Sequence, residues 1–312
     1  MRIVFMGTPD FAVPTLQRLA ASHHEIAAVL TNPDRPAGRG RQSQAPPVKD
    51  AALELGLDVL QTADLSDPDL AARLSAYSPD LFAVVAFSIL PPALLALPPH
   101  GSVNLHPSLL PAYRGAAPII WAVINGEQET GITTFHLNER VDAGDILLQR
   151  RVCIGPQETA GELDARLREL GADLIVETVD GLEAGNLAPQ PQPRRAASRA
   201  PKLAKEDGRI DWTRSTSAVF NLIRGANPVP GAFTEWSGSP LKIHRARVLE
   251  SDRKQIPGSV LAADARDGLV VATGDGALAL TEVQPAGRAK MEATAFVRGY
   301  ALESGARFGE TA

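Results

Sequence analysis

Short apolar runs alternate with amphipathic stretches over the first part of the chain. Strands are predicted at the apolar runs 2–6, 26–30, 57–60, 81–87, 102–106, 131–137 and 146–154. Helical spacing of apolar positions is found at residues 11–21, 48–55, 69–77, 119–125 and 161–182. The run 81–87 is continuously apolar, which is typical of a central parallel strand that is buried on both faces. The alternation predicts a doubly wound, mostly parallel α/β sheet.

The pattern changes after residue 205. One helix with an entry turn is predicted at 211–227, followed by five short strands at 231–236, 241–249, 258–263, 269–273 and 277–284. Turn sequences such as Gly274-Asp275-Gly276 separate the strands. Five short strands joined by tight turns predict a small barrel of the oligonucleotide-binding (OB) class.

A proline-rich basic segment separates these two patterns. Residues 183–205 hold four prolines and five basic residues, and the prolines prevent regular structure. We therefore predict a catalytic domain at 1–182, a linker at 183–205 and an OB-like domain at 206–312. From composition alone the linker is a solvated tether, and its basic charge also suits contact with phosphate.

Composition narrows the class of protein. The 312 residues are 44% apolar and 21% charged, as in ordinary globular proteins. The net charge of −5 does not by itself indicate nucleic-acid binding. No apolar stretch approaches the roughly 20 residues of a membrane helix. The single cysteine, Cys153, excludes an intramolecular disulfide and is expected to be buried. We expect a cytoplasmic monomer that has no contact with a membrane.

The sequence has neither the glycine pattern of a nucleotide-binding loop nor the residue spacing of a metal site. The first strand–helix turn lacks the glycine pattern that binds a dinucleotide, and no Walker-type loop occurs. No His-Glu-x-x-His or similar spacing occurs either, so we predict no metal. His23 and His24 follow the first predicted helix and are expected to face solvent, and His244 is expected at the surface.

Candidate chemistry is found at the end of the strand 102–106. Asn104 and His106 alternate there, so that their side chains share one face, and Asp142 follows in the segment Val141-Asp142-Ala143. An amide that donates to a developing oxyanion, beside a base that titrates near neutrality, suits attack of a neutral nucleophile on a carbonyl. The alternative for an isolated Asn-x-His is that both side chains only cap a strand.

Longer motifs favour the chemical interpretation. They are Phe5-Met6-Gly7-Thr8-Pro9-Asp10-Phe11-Ala12, Pro33-Asp34-Arg35-Pro36-Ala37-Gly38-Arg39-Gly40, Asn104-Leu105-His106-Pro107-Ser108-Leu109-Leu110-Pro111, Asp142-Ala143-Gly144-Asp145 and Arg209-Ile210-Asp211-Trp212. With these motifs the chain resembles the methionyl-tRNA formyltransferase family over nearly its full length. The resemblance implies formyl transfer from 10-formyltetrahydrofolate to the α-amino group of methionyl-initiator tRNA.

The resemblance also implies roles for individual residues. Asn104, His106 and Asp142 match the catalytic trio, and Ser108, Leu109, Leu110 and Pro111 match the folate-binding segment. Arg39 lies in the loop that would contact the acceptor stem of the tRNA. The chain departs from the family pattern at 86–91, which is one residue shorter in a loop that helps to hold the pteridine ring, and at Arg140, where a glycine is usual.

Alternatives remain at this stage. Another 10-formyltetrahydrofolate-dependent formyltransferase, acting on a small amine, would share the trio without the Arg39 loop. Hydrolysis of the formyl donor, or a non-catalytic folate- or RNA-binding module, are further options. The split of acid and base roles between His106 and Asp142 stays open.

Overall fold

The computed structural model describes residues 1–37, 42–249, 255–264 and 268–309. The chain forms two compact units. The first contains Met1–Pro118, Glu129–Cys153 and Asp164–Ala200, and the second contains Ile119–Gln128, Ile154–Leu163 and Pro201–Ala312. None of the helices in the described ranges is long and apolar enough to cross a membrane.

The first unit is built on a seven-stranded sheet with the order β5-β2-β1-β6-β7-β8-β9. The strands up to β9 are β1 (Arg2–Gly7), β2 (Glu25–Thr31), β3 (Arg35–Ala37), β4 (Gln42–Gln44), β5 (Val59–Gln61), β6 (Leu81–Val85), β7 (Ser102–His106), β8 (Glu129–His136) and β9 (Ile146–Cys153). The first five strands in the sheet order run parallel, β8 pairs antiparallel with β7, and β9 pairs antiparallel with β8. Every residue of β6 is buried, as its apolar run predicts for a central strand.

Eight helices complete the described structure. They are α1 (Val13–Ala20), α2 (Pro47–Glu54), α3 (Pro68–Ser75), α4 (Pro92–Leu95), α5 (Pro118–Ile124), α6 (Ala160–Glu183), α7 (Thr216–Gly225) and α8 (Ala293–Tyr300). Several begin at a proline, which fits the first turn because that position needs no amide hydrogen bond. The predicted helix 211–227 starts only at Thr216, because Asp211 Oδ1 accepts from the Thr213 amide in a turn and Ser215 caps the helix.

The second unit contains an antiparallel sheet with the order β10-β11-β14-β13-β12, and β15 pairs with β14. Its strands are β10 (Ala232–Trp236), β11 (Ser239–Leu249), β12 (Val260–Asp264), β13 (Gly268–Ala272), β14 (Ala277–Pro285) and β15 (Met291–Glu292). Apolar residues of the sheet, α7 and α8 form one core, which includes Trp212 and Phe296. The predicted class, a mostly parallel α/β sheet followed by an OB-like antiparallel domain, is confirmed.

The segment that contains Arg39 lies between two short paired strands. β3 and β4 form an antiparallel hairpin in which Arg35 pairs with Gln44. Arg39 itself lies outside the described residues, so its predicted contact with RNA stays a prediction.

Candidate active site

The two polar residues of β7 lie at its carboxyl end. Asn104 is half-buried and His106 is 5% exposed. β7 lies between parallel β6 and antiparallel β8, so both side chains are held by a strand that has neighbours on both sides. Ligands of doubly wound sheets bind beyond this edge. The strand therefore presents an amide and an imidazole where a substrate is expected.

Two contacts define which ring nitrogen of His106 carries a hydrogen. Nε2 lies 2.9 Å from the carbonyl oxygen of Tyr113, which only accepts hydrogen bonds, so Nε2 carries a hydrogen. Nδ1 lies 3.7 Å from Asp142 Oδ2. Burial of the ring lowers the pKa of His106 below 6.5, although the Asp142 carboxylate and the Tyr113 carbonyl oppose this effect. Near neutral pH the ring is therefore neutral, with the Nδ1 lone pair facing Asp142.

The Asp142 carboxylate is held by the backbone of another loop. Its Oδ2 accepts a hydrogen bond of 2.8 Å from the amide of Gly115. Asp142 has a φ of +50° and Gly115 a φ of +126°. Aspartate tolerates the left-handed region better than most residues, whereas the Gly115 conformation, with a Cβ that would lie 2.6 Å from Ala200 O, requires glycine. Local backbone geometry thus brings the carboxylate to His106.

Gln192 joins the loops that contain Gly115 and Asp142. Its Nε2 donates to Asp142 O at 3.0 Å and to Gly144 O at 2.7 Å. Its Oε1 accepts from Arg114 Nη2 at 2.6 Å and from Arg114 Nε at 3.2 Å. Gln192 belongs to the segment that composition described as a solvated tether. At this residue the segment is instead half-buried and bound to the site.

Hydrogen bonds from β8 and β9 hold the backbone of the segment that contains Ser108, Leu109, Leu110 and Pro111. Thr133 Oγ1 donates to Ser108 O at 2.6 Å, and Gln149 Nε2 donates to Leu110 O at 3.1 Å. The side chains of Ser108 and Leu110 are buried, and those of Leu109 and Pro111 are half-buried. The segment is separated from His106 by Pro107 alone, so it helps to set the position of that residue. Its direct contact with folate stays a prediction.

A cavity opens beside Asn104 and Asp142. Its lining consists of Val84, Phe87, Ser88, Ile89, Leu90, Leu95, Asn104, Leu137, Asn138, Arg140, Val141 and Asp142. Ile89 is 72% exposed and Val141 is 53% exposed, which is unusual for apolar side chains at the rim of a cavity. Apolar walls with a few polar groups at one end suit a flat aromatic ring. Residues 87–90 of the shorter segment 86–91 and Arg140, both of which depart from the family pattern, lie in this lining.

Three expectations about side chains outside the site were wrong. His24 is buried: its ring packs at a tilt against that of His23, and its Nε2 lies 2.9 Å from Asp180 Oδ1. His244 is also buried, because a register shift in the β11–β14 pairing turns both Ile243 and His244 inward. Cys153 is exposed, because it ends the edge strand β9 and faces away from buried Val152.

Sequence reasoning named Asn104, His106 and Asp142 but none of the groups that hold them in place. Tyr113 O, Gly115 N and Gln192 all hold the site through hydrogen bonds. Gly115 belongs to a glycine-containing turn, which was a usable signal. For Gln192 no local pattern exists, because its partners lie about 50 and 78 positions away along the chain.

Comparisons with known proteins agree with this arrangement. Residues 1–179 match the family described as formyl transferase, and residues 202–301 match its C-terminal domain. The methionyl-tRNA formyltransferase of Heliobacterium modesticaldum is 50% identical over 318 residues, covering 99% of this chain and 100% of that protein. That of Pelotomaculum thermopropionicum is 48% identical over 312 residues, covering 99% of both chains.

Solved structures share the fold at lower identity. WlaRD, a sugar 3N-formyl transferase, has a TM-score of 0.65 at 17% identity and covers 93% of this chain and 99% of its own. HypX from Aquifex aeolicus, in complex with tetrahydrofolic acid, has a TM-score of 0.63 at 21% identity and covers 95% of this chain and 47% of its own. Because the curated relatives match over both units at about half identity, the chain belongs to the methionyl-tRNA formyltransferase family.

Proposed function

We propose that this protein transfers the formyl group of 10-formyltetrahydrofolate to the α-amino group of methionyl-initiator tRNA. The observation that carries the proposal is the full-length identity of 50% to a methionyl-tRNA formyltransferase. The cluster of Asn104, His106 and Asp142 beside a cavity supports it, since an amide, an imidazole and a carboxylate suit attack of an amine on a formyl carbon.

In this scheme Asn104 stabilises negative charge. As the amine attacks, the formyl oxygen gains charge, and the Asn104 amide donates an N–H to it. Among the described residues no hydrogen-bond partner of this side chain is found, so the amide is available for that oxygen. In other enzymes, loss of one such donor costs about 3–4 kcal/mol of transition-state stabilisation.

His106 and Asp142 transfer a proton from the attacking amine to the leaving nitrogen. The attacking amine must lose a proton, and the nitrogen that leaves the formyl carbon must gain one. Because Nε2 is held by Tyr113 O, we assign the proton-accepting role to Nδ1 of His106. The 3.7 Å between Nδ1 and Asp142 Oδ2 separates two acceptors, and an amine nitrogen between them can donate one N–H to each. Asp142 then stabilises the imidazolium until the proton passes to the leaving nitrogen.

The donor is proposed to bind in the cavity beside Asn104. Ile89 and Val141 flank this cavity, and Leu90 and Phe87 line it, so a pteridine ring would have apolar side chains around it. Asn104 at the same cavity brings the formyl group within reach of the trio. Ser108, Leu109, Leu110 and Pro111 would contribute by fixing the loop after His106.

The acceptor tRNA is proposed to contact Arg39, the basic linker 183–205 and the OB-like domain 206–312. These cations suit phosphate, and binding should therefore weaken steeply as salt is added. We further propose that the enzyme works as a monomer in the cytoplasm, where both substrates are found.

Formylation of charged initiator tRNA with 10-formyltetrahydrofolate tests the function, with elongator methionyl-tRNA and a small amino sugar as competing acceptors. Asn104→Ala should lower kcat by about 100- to 1,000-fold, and its matched control Asn186→Ala, at an exposed position, should not. Faster transfer to the amino sugar would favour the small-amine alternative. Full activity of a folded Asn104→Ala protein would exclude the proposed role of that amide.

A further inference from the structure

A second group of titratable side chains lies away from the candidate active site. His23 and His24 are found in the loop between α1 and β2, and Asp180 and Glu183 end α6. Within the described parts of the chain, the possible ligand atoms of His23, His24 and Glu183 all lie within 4.8 Å of one another. The two imidazole rings pack against each other with centroids 4.0 Å apart and planes tilted by 46°. The proposed formyl transfer uses none of these groups.

The Glu183 carboxylate divides its two oxygens between different partners. Oε1 accepts from the amino group of Met1 at 2.6 Å. Oε2 lies 2.9 Å from His23 Nε2 and 3.9 Å from His24 Nδ1. Tetrahedral zinc, with bonds of about 2.0–2.2 Å, separates neighbouring ligand atoms by about 3.4 Å. The two measured separations lie on either side of that value, so small side-chain rotations would suffice.

His24 is oriented as metal-binding histidines are. Its side chain is fully buried, and Nε2 lies 2.9 Å from Asp180 Oδ1. A carboxylate only accepts hydrogen bonds, so Nε2 carries the hydrogen and Nδ1 keeps a lone pair on the side of Glu183. The Met1 amino group donates to this lone pair at 3.1 Å. A carboxylate that holds the far nitrogen of a ligand histidine is the usual arrangement around bound metals.

We propose that His23, His24 and Glu183 bind one divalent transition-metal ion, with Zn²⁺ as the best match, and that Asp180 orients His24. Two imidazoles and one carboxylate form a ligand set that zinc prefers, with water in the fourth position. The ion takes the place of the Met1 amino group at His24 Nδ1. The side chains of His23 and Glu183 are 63% and 42% exposed, so two of the three ligand side chains are open to solvent.

The consequence of such a site is structural. Bound metal would tie the end of α6 to the start of β2, two elements that are about 160 positions apart in the chain. That separation explains why ligand spacing in the sequence predicted no metal. An ion that binds the folded state alone stabilises it by mass action, so its effect is seen as a rise in Tm.

Calorimetric titration of Zn²⁺ into the tag-free, chelator-treated full chain tests this inference. We expect one ion per chain. His23→Ala and Glu183→Gln should each lower the affinity by more than about tenfold, and Asp180→Asn by about 10- to 100-fold. His100→Ala, at an exposed histidine outside the cluster, is the matched control and should leave the affinity unchanged.

Thermal unfolding supplies the second measurement. Zinc should raise the Tm of the unaltered protein and of His100→Ala, and leave that of His23→Ala unchanged. His23 and Glu183 carry exposed side chains, so their variants should fold, which circular dichroism without zinc would verify. The inference is overturned if no ion binds, or if the His23→Ala and Glu183→Gln proteins bind zinc as tightly as the unaltered chain.

Discussion

Charge at one residue, Asp142, controls the titration of another, His106. Burial lowers the pKa of His106 and the Asp142 carboxylate raises it. Asp142→Asn should therefore lower this pKa further. Asparagine tolerates the positive φ and can still accept from Gly115, so the substitution removes the charge with little change in shape. NMR titration of the His106 ring protons measures the effect. A rise in the pKa would contradict the assigned geometry.

The lowered pKa of His106 also makes the free energy of unfolding depend on pH. Because the pKa of His106 is lower in the folded state than the about 6.5 of an unfolded chain, the unfolded state binds more protons between those values. The contribution of His106 to the free energy of unfolding is thus complete above pH about 6.5. It decreases as the pH falls toward the lowered pKa. If the free energy of unfolding instead increased as the pH fell through that range, His106 would have to be charged in the folded protein.

Exposed apolar side chains at the cavity rim give a separate prediction. Ile89 is 72% exposed beside Asn104, and Ile256 is 61% exposed in the second unit. Ile89→Asp should raise the KM for the folate donor by about tenfold, since an apolar contact of about 1–3 kcal/mol is replaced by a charge. Ile256→Asp is the matched control. Steady-state kinetics with a fixed tRNA concentration compares them, and equal KM values would place the donor elsewhere.

At the scale of elements, Gln192 holds the Asp142 loop. Gln192→Ala leaves the carbonyl oxygens of Asp142 and Gly144 without their donor, which costs about 1–3 kcal/mol where such groups are buried. We expect kcat to fall by about 10- to 100-fold while the KM for tRNA changes little. Gln190→Ala is the matched control, because Gln190 contacts β9 only through its backbone and its side chain is exposed.

A charge-changing variant at the same position identifies which contact matters. Gln192→Glu keeps the acceptor for Arg114 but loses both donated hydrogen bonds. It should be as impaired as Gln192→Ala. Recovery of kcat in Gln192→Glu would assign the effect to Arg114 instead of the Asp142 loop, and unaltered kcat in Gln192→Ala would remove Gln192 from the site.

The sequence predicts correctly those elements that depend on the residue pattern within one short segment. The buried strand β6 and the alternation of Asn104 and His106 on β7 follow from periodicity alone. The inward position of His244 depends on a register shift with β14, and the exposure of Cys153 depends on β9 being an edge strand. Both are properties of strand pairing between distant segments, so a local pattern does not contain them.

At the scale of the whole molecule, the compact units differ from consecutive stretches of sequence. The second unit includes Ile119–Gln128 and Ile154–Leu163 in addition to Pro201–Ala312. Arg224, only 7% exposed, donates to the carbonyl oxygens of Val123, Gly155 and Glu158 from those two stretches. A buried guanidinium needs such acceptors, since leaving it unpaired is costly.

A fragment of residues 206–312 lacks these acceptors, and it also lacks Ile124, against which Gly225 packs. We expect this fragment to be unstable by itself: three carbonyl acceptors of Arg224 are missing, and the apolar surface of α7 is uncovered. Urea unfolding followed by circular dichroism should show no cooperative transition for it. Adding a separate fragment of residues 1–205 should restore one, because that fragment supplies both stretches. If 206–312 unfolds cooperatively at the midpoint of the full chain, then α7 and the OB-like sheet fold without them, and the predicted boundary at residue 206 is a true domain boundary.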